Sequence, residues 1–204
     1  MGSDKIFEAR IRANQDNVDW GWISKNRKLS ENFIREFQDK VNWELISEYQ
    51  ELSEDFIREF QDRVDWEKIL ILETRNFSED FIREFQDKMD WRGISIYQTL
   101  SEDFIREFQD KVDWKWIDVT QFSYDFTREF QDKVNWKLNS EYEYLSEDFI
   151  REFQDKVDWK EISRCHEELS EDFLREFQDK VDWKLILENQ NLSEDFIREF
   201  KDRV

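Results

Sequence analysis

Apolar positions in this 204-residue chain recur in short clusters with helical spacing. In residues 52–73, Phe56, Ile57 and Phe60 fall at i, i+1 and i+4, which places them on one helix face and does not fit the alternation of a strand. Ser53 precedes the cluster as a favoured N-cap, and the two acidic residues after it suit the helix dipole. The pattern predicts a first helix of about 10 residues.

The same pattern of cap and apolar residues returns in the second half of this segment. Asp65 lies 12 residues after the first cap and is itself a favoured N-cap, and Trp66 follows it. Val64 and Ile69 form the apolar pair expected of a hydrophobic staple around this cap. Two capped starts so close together predict two short helices joined by a tight turn, which is a helical hairpin.

This hairpin pattern is repeated along almost the whole chain as variants of LSEDFIREFQDKVDW. Its serine falls at Ser30, Ser53, Ser78, Ser101, Ser123, Ser146, Ser170 and Ser193, at spacings of 22 to 25 residues. Such a period predicts an all-α fold, an α-solenoid of about eight stacked short helical hairpins. Helices this short are marginal alone in water, so stacking must stabilise them.

We expect one helical-repeat array over residues 1–204. It divides into a degenerate N-terminal capping unit at 1–28, seven full repeats at 29–191 and a C-terminal half repeat at 192–204. Arg10, Ile11 and Asn14 stand where later copies have Phe, Ile and Phe, which favours a polar cap. Phe196 and Phe200 keep the interior pattern, which favours truncation of a longer array over a terminal cap at this end.

Composition limits the classes of partner. The formal net charge is −20, which disfavours direct binding to nucleic acid or to an anionic membrane and favours solubility or a basic partner. The regularly placed aromatic residues, 17% of the chain, argue against disorder. No apolar run is long enough to span a bilayer, and the lone Cys165 excludes an internal disulfide and fits an intracellular setting.

Catalysis and cofactor binding are not expected. Cys165 is followed by His166, the only histidine, but a zinc site needs about four suitable ligands, and adjacent residues on a short helix rarely form a catalytic pair. The acidic residues recur in every copy, whereas an active site is normally unique. No phosphate-binding loop, dinucleotide fingerprint or zinc-protease motif is present. The sequence predicts a protein that is not an enzyme and has no cofactor.

The repeated string LSEDFIREFQDKVDW resembles the short repeats of uncharacterised proteins of large DNA viruses, and the resemblance covers nearly the entire chain. It implies a viral protein that acts on a host or viral component, in the host cytoplasm. The family has no assigned activity, so the resemblance transfers no functional residue.

Two surfaces are candidates for binding. The first-helix residues Arg58, Glu59, Gln61 and Asp62 recur almost unchanged, either as a ladder for a regular partner or as internal salt bridges. The internal alternative is favoured, with the i,i+4 pairs Glu54–Arg58 and Glu59–Arg63 and with Arg of one repeat bound to an acid of the next. The second helix and its exit loop vary in sequence and length, as a binding face or as a tolerant surface does. The candidate partner-binding residues are Trp22, Glu44, Lys68, Leu70, Arg92, Trp116, Lys137, Glu161, Arg164 and Leu185.

One repeat departs from the others. Tyr124 replaces a Glu, and Thr127 and Asn139 place polar groups at expected core positions. The two polar side chains either bond each other, weaken the stack or face a ligand. We favour a structural irregularity in which their polar groups are hydrogen-bonded within the fold.

The sequence favours a non-enzymatic scaffold for protein–protein interaction, monomeric or weakly associated end to end, whose partner is a host or viral protein. The alternative is an acidic mimic of nucleic acid that occupies a basic DNA-binding protein. The Arg and Lys residues of each copy argue against the mimic.

Overall fold

The computed structural model describes residues 2–70, 75–142, 145–166, 168–201 and 203, with side chains from residue 6 onwards. Within these ranges the regular secondary structure is helical, without strands, as the repeat predicts. The α-helices are α1 Gly2–Ala13, α2 Trp20–Asn26, α3 Glu31–Glu36, α4 Trp43–Tyr49, α5 Glu54–Glu59, α6 Glu79–Glu84, α7 Trp91–Tyr97, α8 Glu102–Glu107, α9 Tyr124–Glu129, α10 Trp136–Ser140, α11 Glu147–Glu152, α12 Trp159–Cys165, α13 Glu171–Glu176, α14 Trp183–Asn189 and α15 Glu194–Glu199.

The chain divides into two compact units, Met1–Val112 and Asp113–Val204, called the first and second unit below. In each unit, helices that follow a capping Ser (first helices) alternate with helices that begin at a Trp (second helices), except that, in the described residues, α6 follows α5 and α9 follows α8 without a second α-helix between them. Second helices pack on one another, α2 on α4 in the first unit, and α10 on α12 and α12 on α14 in the second. Each unit is therefore an α-solenoid of stacked short repeats.

The first helices are shorter than the ten or so residues that the sequence predicts. In α5, Ser53 Oγ accepts the N–H of Phe56 at 3.2 Å, and the α-helix ends after six residues. Phe60 has a φ of −112°, and the N–H groups of Arg63 and Val64 both donate to its carbonyl. This turn is required because Val64 must reach the core just before Asp65 caps the next segment.

The core is a stack of aromatic rings shared between successive repeats. Trp43 of α4 lies 6.2 Å from Phe56 and 5.0 Å from Phe60 of the next first helix, measured between ring centroids. In the second unit, Trp159 packs in the same way on Phe173 and Phe177. The Phe rings are buried, so each repeat supplies part of its neighbour's core, as expected from the marginal stability of single hairpins.

The segment after Asp65 differs from the predicted second helix. Residues 66–70 form turns: Asp65 Oδ1 accepts the N–H groups of Glu67 and Lys68, and Ile69 donates back to Asp65. The rest of this variable segment, residues 71–74, lies outside the described residues.

A 3₁₀-helix, Val119–Gln121, replaces the second helix of the repeat before α9. Its cause is Asp118, which stands four residues after the Trp, where several repeats have Ser. The Asp118 carboxylate accepts from the N–H and hydroxyl of Thr120 at 2.9 and 2.6 Å and from the amide of Gln121 at 2.9 Å. Such local bonds compete with helix propagation. The prediction of a hairpin of two α-helices in every copy is therefore wrong for this repeat.

Asn139 compensates for this shortened segment. Its Oδ1 accepts the Val119 N–H at 3.0 Å, and its Nδ2 donates to the Ile117 carbonyl at 3.2 Å and to the Asn135 carbonyl at 3.1 Å. The side chain is 1% exposed, so these bonds satisfy a buried amide. Asn139 thus pairs backbone groups of the preceding repeat.

The other irregular positions are also satisfied locally. Thr127 is buried, and its hydroxyl donates to the Ser123 carbonyl at 3.2 Å, so it does not bond Asn139. Tyr124 packs edge-on against Phe149 and Phe153 at 5.7 and 6.0 Å. The expectation of a satisfied irregularity is confirmed for these three residues.

Among the residues that the structure describes, no helix combines the length and apolar character needed to cross a bilayer.

We predict that Asn139→Ile, although it restores the residue most common at this position, destabilises the protein. Isoleucine would leave the Val119 N–H and Ile117 carbonyl buried without partners, at about 1–3 kcal/mol for each group. The urea midpoint, followed by far-UV circular dichroism, should fall. A midpoint equal to or above that of the wild type would contradict this account.

Candidate interaction surface

Arginine and glutamate side chains of the first helices join successive repeats within each unit. Arg58 Nε donates to Glu84 Oε2 at 2.7 Å in the first unit, and Arg151 Nε donates to Glu176 Oε2 at 2.7 Å in the second. The hydrogen bond to Glu84 is the main cause of the raised pKa of Arg58. Equivalent pairs, at 2.7–3.1 Å, are Arg12–Glu36, Arg35–Glu59, Arg83–Glu107, Arg128–Glu152 and Arg175–Glu199. The favoured prediction, that Arg of one repeat pairs with an acid of the next repeat, is confirmed.

The individual i,i+4 pairs were predicted less well. Arg58 does lie 3.5 Å from Glu54 within its own helix. The expected pair Glu59–Arg63 is wrong, because Arg63 instead contacts Asp39 of the preceding repeat at 2.9 Å. The Glu59 carboxylate is already held by an arginine of that preceding repeat.

A second contact between repeats uses the glutamate that begins most first helices. This carboxylate accepts the backbone N–H of the capping Ser in the next repeat: Glu79 from Ser101 at 2.7 Å and Glu171 from Ser193 at 2.8 Å. The Ser193 N–H is also the main cause of the lowered pKa of Glu171. Even α1, which lacks the repeat's phenylalanines, supplies Glu8 to Ser30 at 2.8 Å.

Lysines in the turn after the first helix form a third contact. Lys111 donates to Gln86 Oε1 at 2.8 Å, and Lys156 lies 3.0 Å from Asp132. The charged face of the first helices is therefore largely occupied by bonds within each unit. The more variable second-helix side is the better candidate for a binding surface.

The predicted binding residues divide by their exposure. Trp22, Glu44, Arg92, Lys137 and Arg164 are exposed, and Trp22 retains 49% of its surface. Three more are half-buried, namely Lys68, Trp116 and Leu185. These eight lie in second helices or the corresponding turns.

The remaining two candidate residues are buried, so the prediction that they lie on the surface is wrong. Leu70 is 2% exposed, and a Cβ atom at Gly93 would lie 3.1 Å from its Cδ1, so it packs between repeats. Leu70 occupies the position four residues after the Trp, where several other repeats bury a Ser. Glu161 is 8% exposed because Arg164 binds its carboxylate at 2.6 Å, with Lys137 at 3.8 Å.

Sequence reasoning missed three exposed residues at the ends of second helices. Tyr49 is 38% exposed in α4, and Ile96 and Tyr97 are 37% and 40% exposed in α7. Both tyrosines stand six residues after the Trp, a recurrence that could have identified them. The Lys25 ammonium lies 4.8 Å from the centroid of the Tyr49 ring, so a cation of one repeat covers an aromatic face of the next.

The residue that ends each second segment often enters the preceding repeat. Gln50 is buried, accepts the Leu29 N–H at 2.9 Å and donates to two carbonyls of the preceding repeat. Arg75 is buried in the repeat whose residues 66–70 form turns. Its guanidinium donates to the carbonyls of Ser47, Ile69 and Gln50. Burial lowers the pKa of Arg75 to about 10.

Cys165 and His166 belong to this structural arrangement. His166 is buried, with its Nε2 3.3 Å from the Ser140 carbonyl, and its own carbonyl accepts from Gln190 at 2.8 Å. Cys165 is half-buried at the end of α12. In the described part of the chain, no three His, Cys, Asp or Glu side chains are grouped so as to hold a metal ion.

Comparison with protein-family models, curated proteins and solved structures finds no match to this chain.

We predict that Arg83→Gln lowers the urea midpoint, whereas Arg198→Gln changes it little. Arg83 bonds Glu107 of the next repeat at 2.8 Å and lies 5.0 Å from the Phe104 ring centroid. Arg198 is 72% exposed and pairs only within its own helix in the described residues, where such pairs contribute little. Equal midpoints for the two variants would contradict a stabilising role of the contact between repeats.

We predict that acid weakens the contacts between repeats. Glu171 and Glu152 have lowered pKa values, caused mainly by the bonds from Ser193 and Arg128. Each therefore stabilises the fold fully above its unfolded pKa of about 4.3, and this stabilisation is lost as the pH falls through the lower folded value.

The thermal midpoint, measured from about pH 6 down to about pH 3, should fall less steeply in E152Q/E171Q than in the wild type. Glu194→Gln is the control, because Glu194 is 88% exposed and its one ion pair within the described ranges is with Arg198 of its own helix. A wild-type slope in the double variant would exclude these two bonds as the cause.

Proposed function

We propose that this chain is a non-enzymatic scaffold that binds a protein partner along its second helices. The observation that carries the proposal is the contrast between its two faces. On the first-helix face, Arg, Glu and Lys bond the neighbouring repeat, so much of its polar capacity is occupied. On the second-helix side, large side chains that differ between copies stay exposed, including Trp22, Tyr49 and Tyr97.

Aromatic residues of this kind are suited to binding proteins. Trp and Tyr dominate binding energy at protein interfaces because they bury a large apolar area while few rotamers are lost. The face is also diverse from one repeat to the next, which a partner with an irregular surface would require. The resemblance to repeats of large DNA viruses is the reason to propose a host or viral protein as the partner.

The acidic mimic remains the second candidate because the first-helix face carries very exposed carboxylates. Asp55 and Asp80 keep 93% and 94% of their side-chain surface. Each lies 3.0–3.1 Å from an arginine of its own helix, however, which reduces the resemblance to a phosphate backbone.

The test compares two surface variants of the full chain by affinity capture and quantitative mass spectrometry. W22A/Y49A/Y97A removes three exposed aromatic residues of the second helices, and D55N/D80N/D103N removes three exposed carboxylates. The partner should be lost from the aromatic variant, with at least about 2 kcal/mol of binding free energy removed, and retained by the Asn variant.

Circular dichroism must show that both variants remain folded. Identical capture by the wild type and the aromatic variant would exclude the proposed face. Loss in the Asn variant alone, together with displacement of the partner by duplex DNA, would favour the mimic.

A further inference from the structure

Four successive repeats of the second unit carry a lysine directly after the Trp of the second segment. These are Lys115, Lys137, Lys160 and Lys184, and all four are exposed. We call them the lysine column. In the first unit the same position holds Gly21, Glu44, Glu67 and Arg92. A uniform basic column on so acidic a chain is therefore a property of the second unit alone.

Helix stability does not explain this column. The N–H groups of Lys160 and Lys184 bond the capping Asp carboxylates at 3.1 Å, which places both residues in the first turn. Cations there oppose the helix dipole, and acidic residues are preferred. The first helices follow that preference, as Glu54 and Asp55 do in α5. Lys137, Lys160 and Lys184 break this rule in consecutive repeats, whereas Lys115 lies in a turn, and such departures are typical of residues kept for binding.

The column also lacks the internal partners that the other repeated lysines have. Lys156 and Lys180 each lie 3.0 Å from an Asp of the preceding repeat. In the column, the closest carboxylates among the described residues are 3.8 Å from Lys137 and 4.0 Å from Lys184. Lys115 instead lies 4.7 Å from the centroid of the neighbouring Trp116 ring. Among the described residues these ammonium groups thus have only distant carboxylate partners, which leaves them able to bind an external anion.

The residues beside the column are partly apolar. Trp116, Leu138 and Leu185 follow three of the four lysines and are half-buried. In the remaining repeat this position is Glu161, whose carboxylate lies within reach of Lys137 on the adjacent helix. This contact, with the packing of α10 on α12 and α12 on α14, places column residues of neighbouring repeats on one surface.

This surface has few acidic residues that are not already paired with a cation or bonded to a backbone N–H group. Glu161 is shared by Arg164 and Lys137, Glu141 interacts electrostatically with Arg164, and Glu188 is the distant partner of Lys184. The capping carboxylates accept backbone N–H groups, which offset their charge. The surface therefore presents cations beside half-buried apolar side chains.

From this arrangement we propose that the second unit binds an acidic protein segment that lies across successive repeats, with its carboxylates on the lysine column and its apolar side chains on Trp116, Leu138 and Leu185. The inference rests on the proposed function, since it assigns a partner chemistry to part of the same surface. One lysine in each repeat suits a segment whose acidic residues recur regularly.

A protein segment fits better than a polynucleotide. Asp148 and Asp172 on the first helices of this unit are 83% and 93% exposed, and they would repel a wide phosphate backbone. A single peptide is thin enough to approach the column closely. Charges farther away than about 8 Å, the Debye length at physiological salt, are largely screened from it.

The test uses the full chain and a fluorescein-labelled peptide in which Glu alternates with Leu, with fluorescence anisotropy as the readout. The variant K115Q/K137Q/K160Q/K184Q should bind the peptide at least about tenfold more weakly than the wild type. The matched control R10Q/K25Q/K28Q/K40Q removes the same charge from exposed positions of the first unit and should stay within about twofold of the wild type.

Unfolding is checked separately by urea denaturation. The urea midpoint of the column variant should equal or exceed that of the wild type, because the substitutions remove positive charges from helix N-termini. Equal weakening in both variants, no binding by the wild type, or displacement of the peptide by duplex DNA would overturn the proposal. If W22A/Y49A/Y97A still loses its captured partner in that case, the acidic partner is wrong and the scaffold function stands. If capture is also unchanged, both proposals fail.

Discussion

The packing of a tryptophan on the two phenylalanines of the next repeat is the contact on which the rest of the structure depends. A first helix has six residues, too few to persist alone in water. Phe56 is fully buried, and Trp43 of the preceding repeat packs against its ring. Secondary structure, core and stacking therefore form together, and the stability of one repeat includes the interface with its neighbours.

The polar contacts between repeats have a consequence for where binding can occur. Arg58, Glu79 and Lys111 each reach a partner in an adjacent repeat, so the most regular part of the sequence is explained by the array itself. Regularity in a tandem repeat is then a poor guide to function. The informative residues are those that depart from it, such as the exposed Tyr97 or the lysines after the second-unit tryptophans.

Much of the fold could be predicted from the sequence because caps and apolar spacing are local. Ser53 and Asp65 cap where expected, and the apolar residues around them are buried. The lengths of helices were less predictable. The Asp118 carboxylate bonds its own neighbours, and a 3₁₀-helix replaces a second helix there, a local competition that the cap and apolar pattern does not reveal. The surface was predicted in outline, but the burial of Leu70 depends on the space left by Gly93 one repeat away.

The bonds from Asn139 to Ile117 and Val119 mean that two adjacent copies are adapted to each other. Tandem copies are duplicated and exchanged by recombination, which can move a single copy to a new position. A shortened copy moved without its successor would meet an isoleucine and leave peptide groups buried and unbonded. Selection should therefore preserve these two copies as one inherited block, while copies elsewhere in the array can be gained, lost or reordered singly.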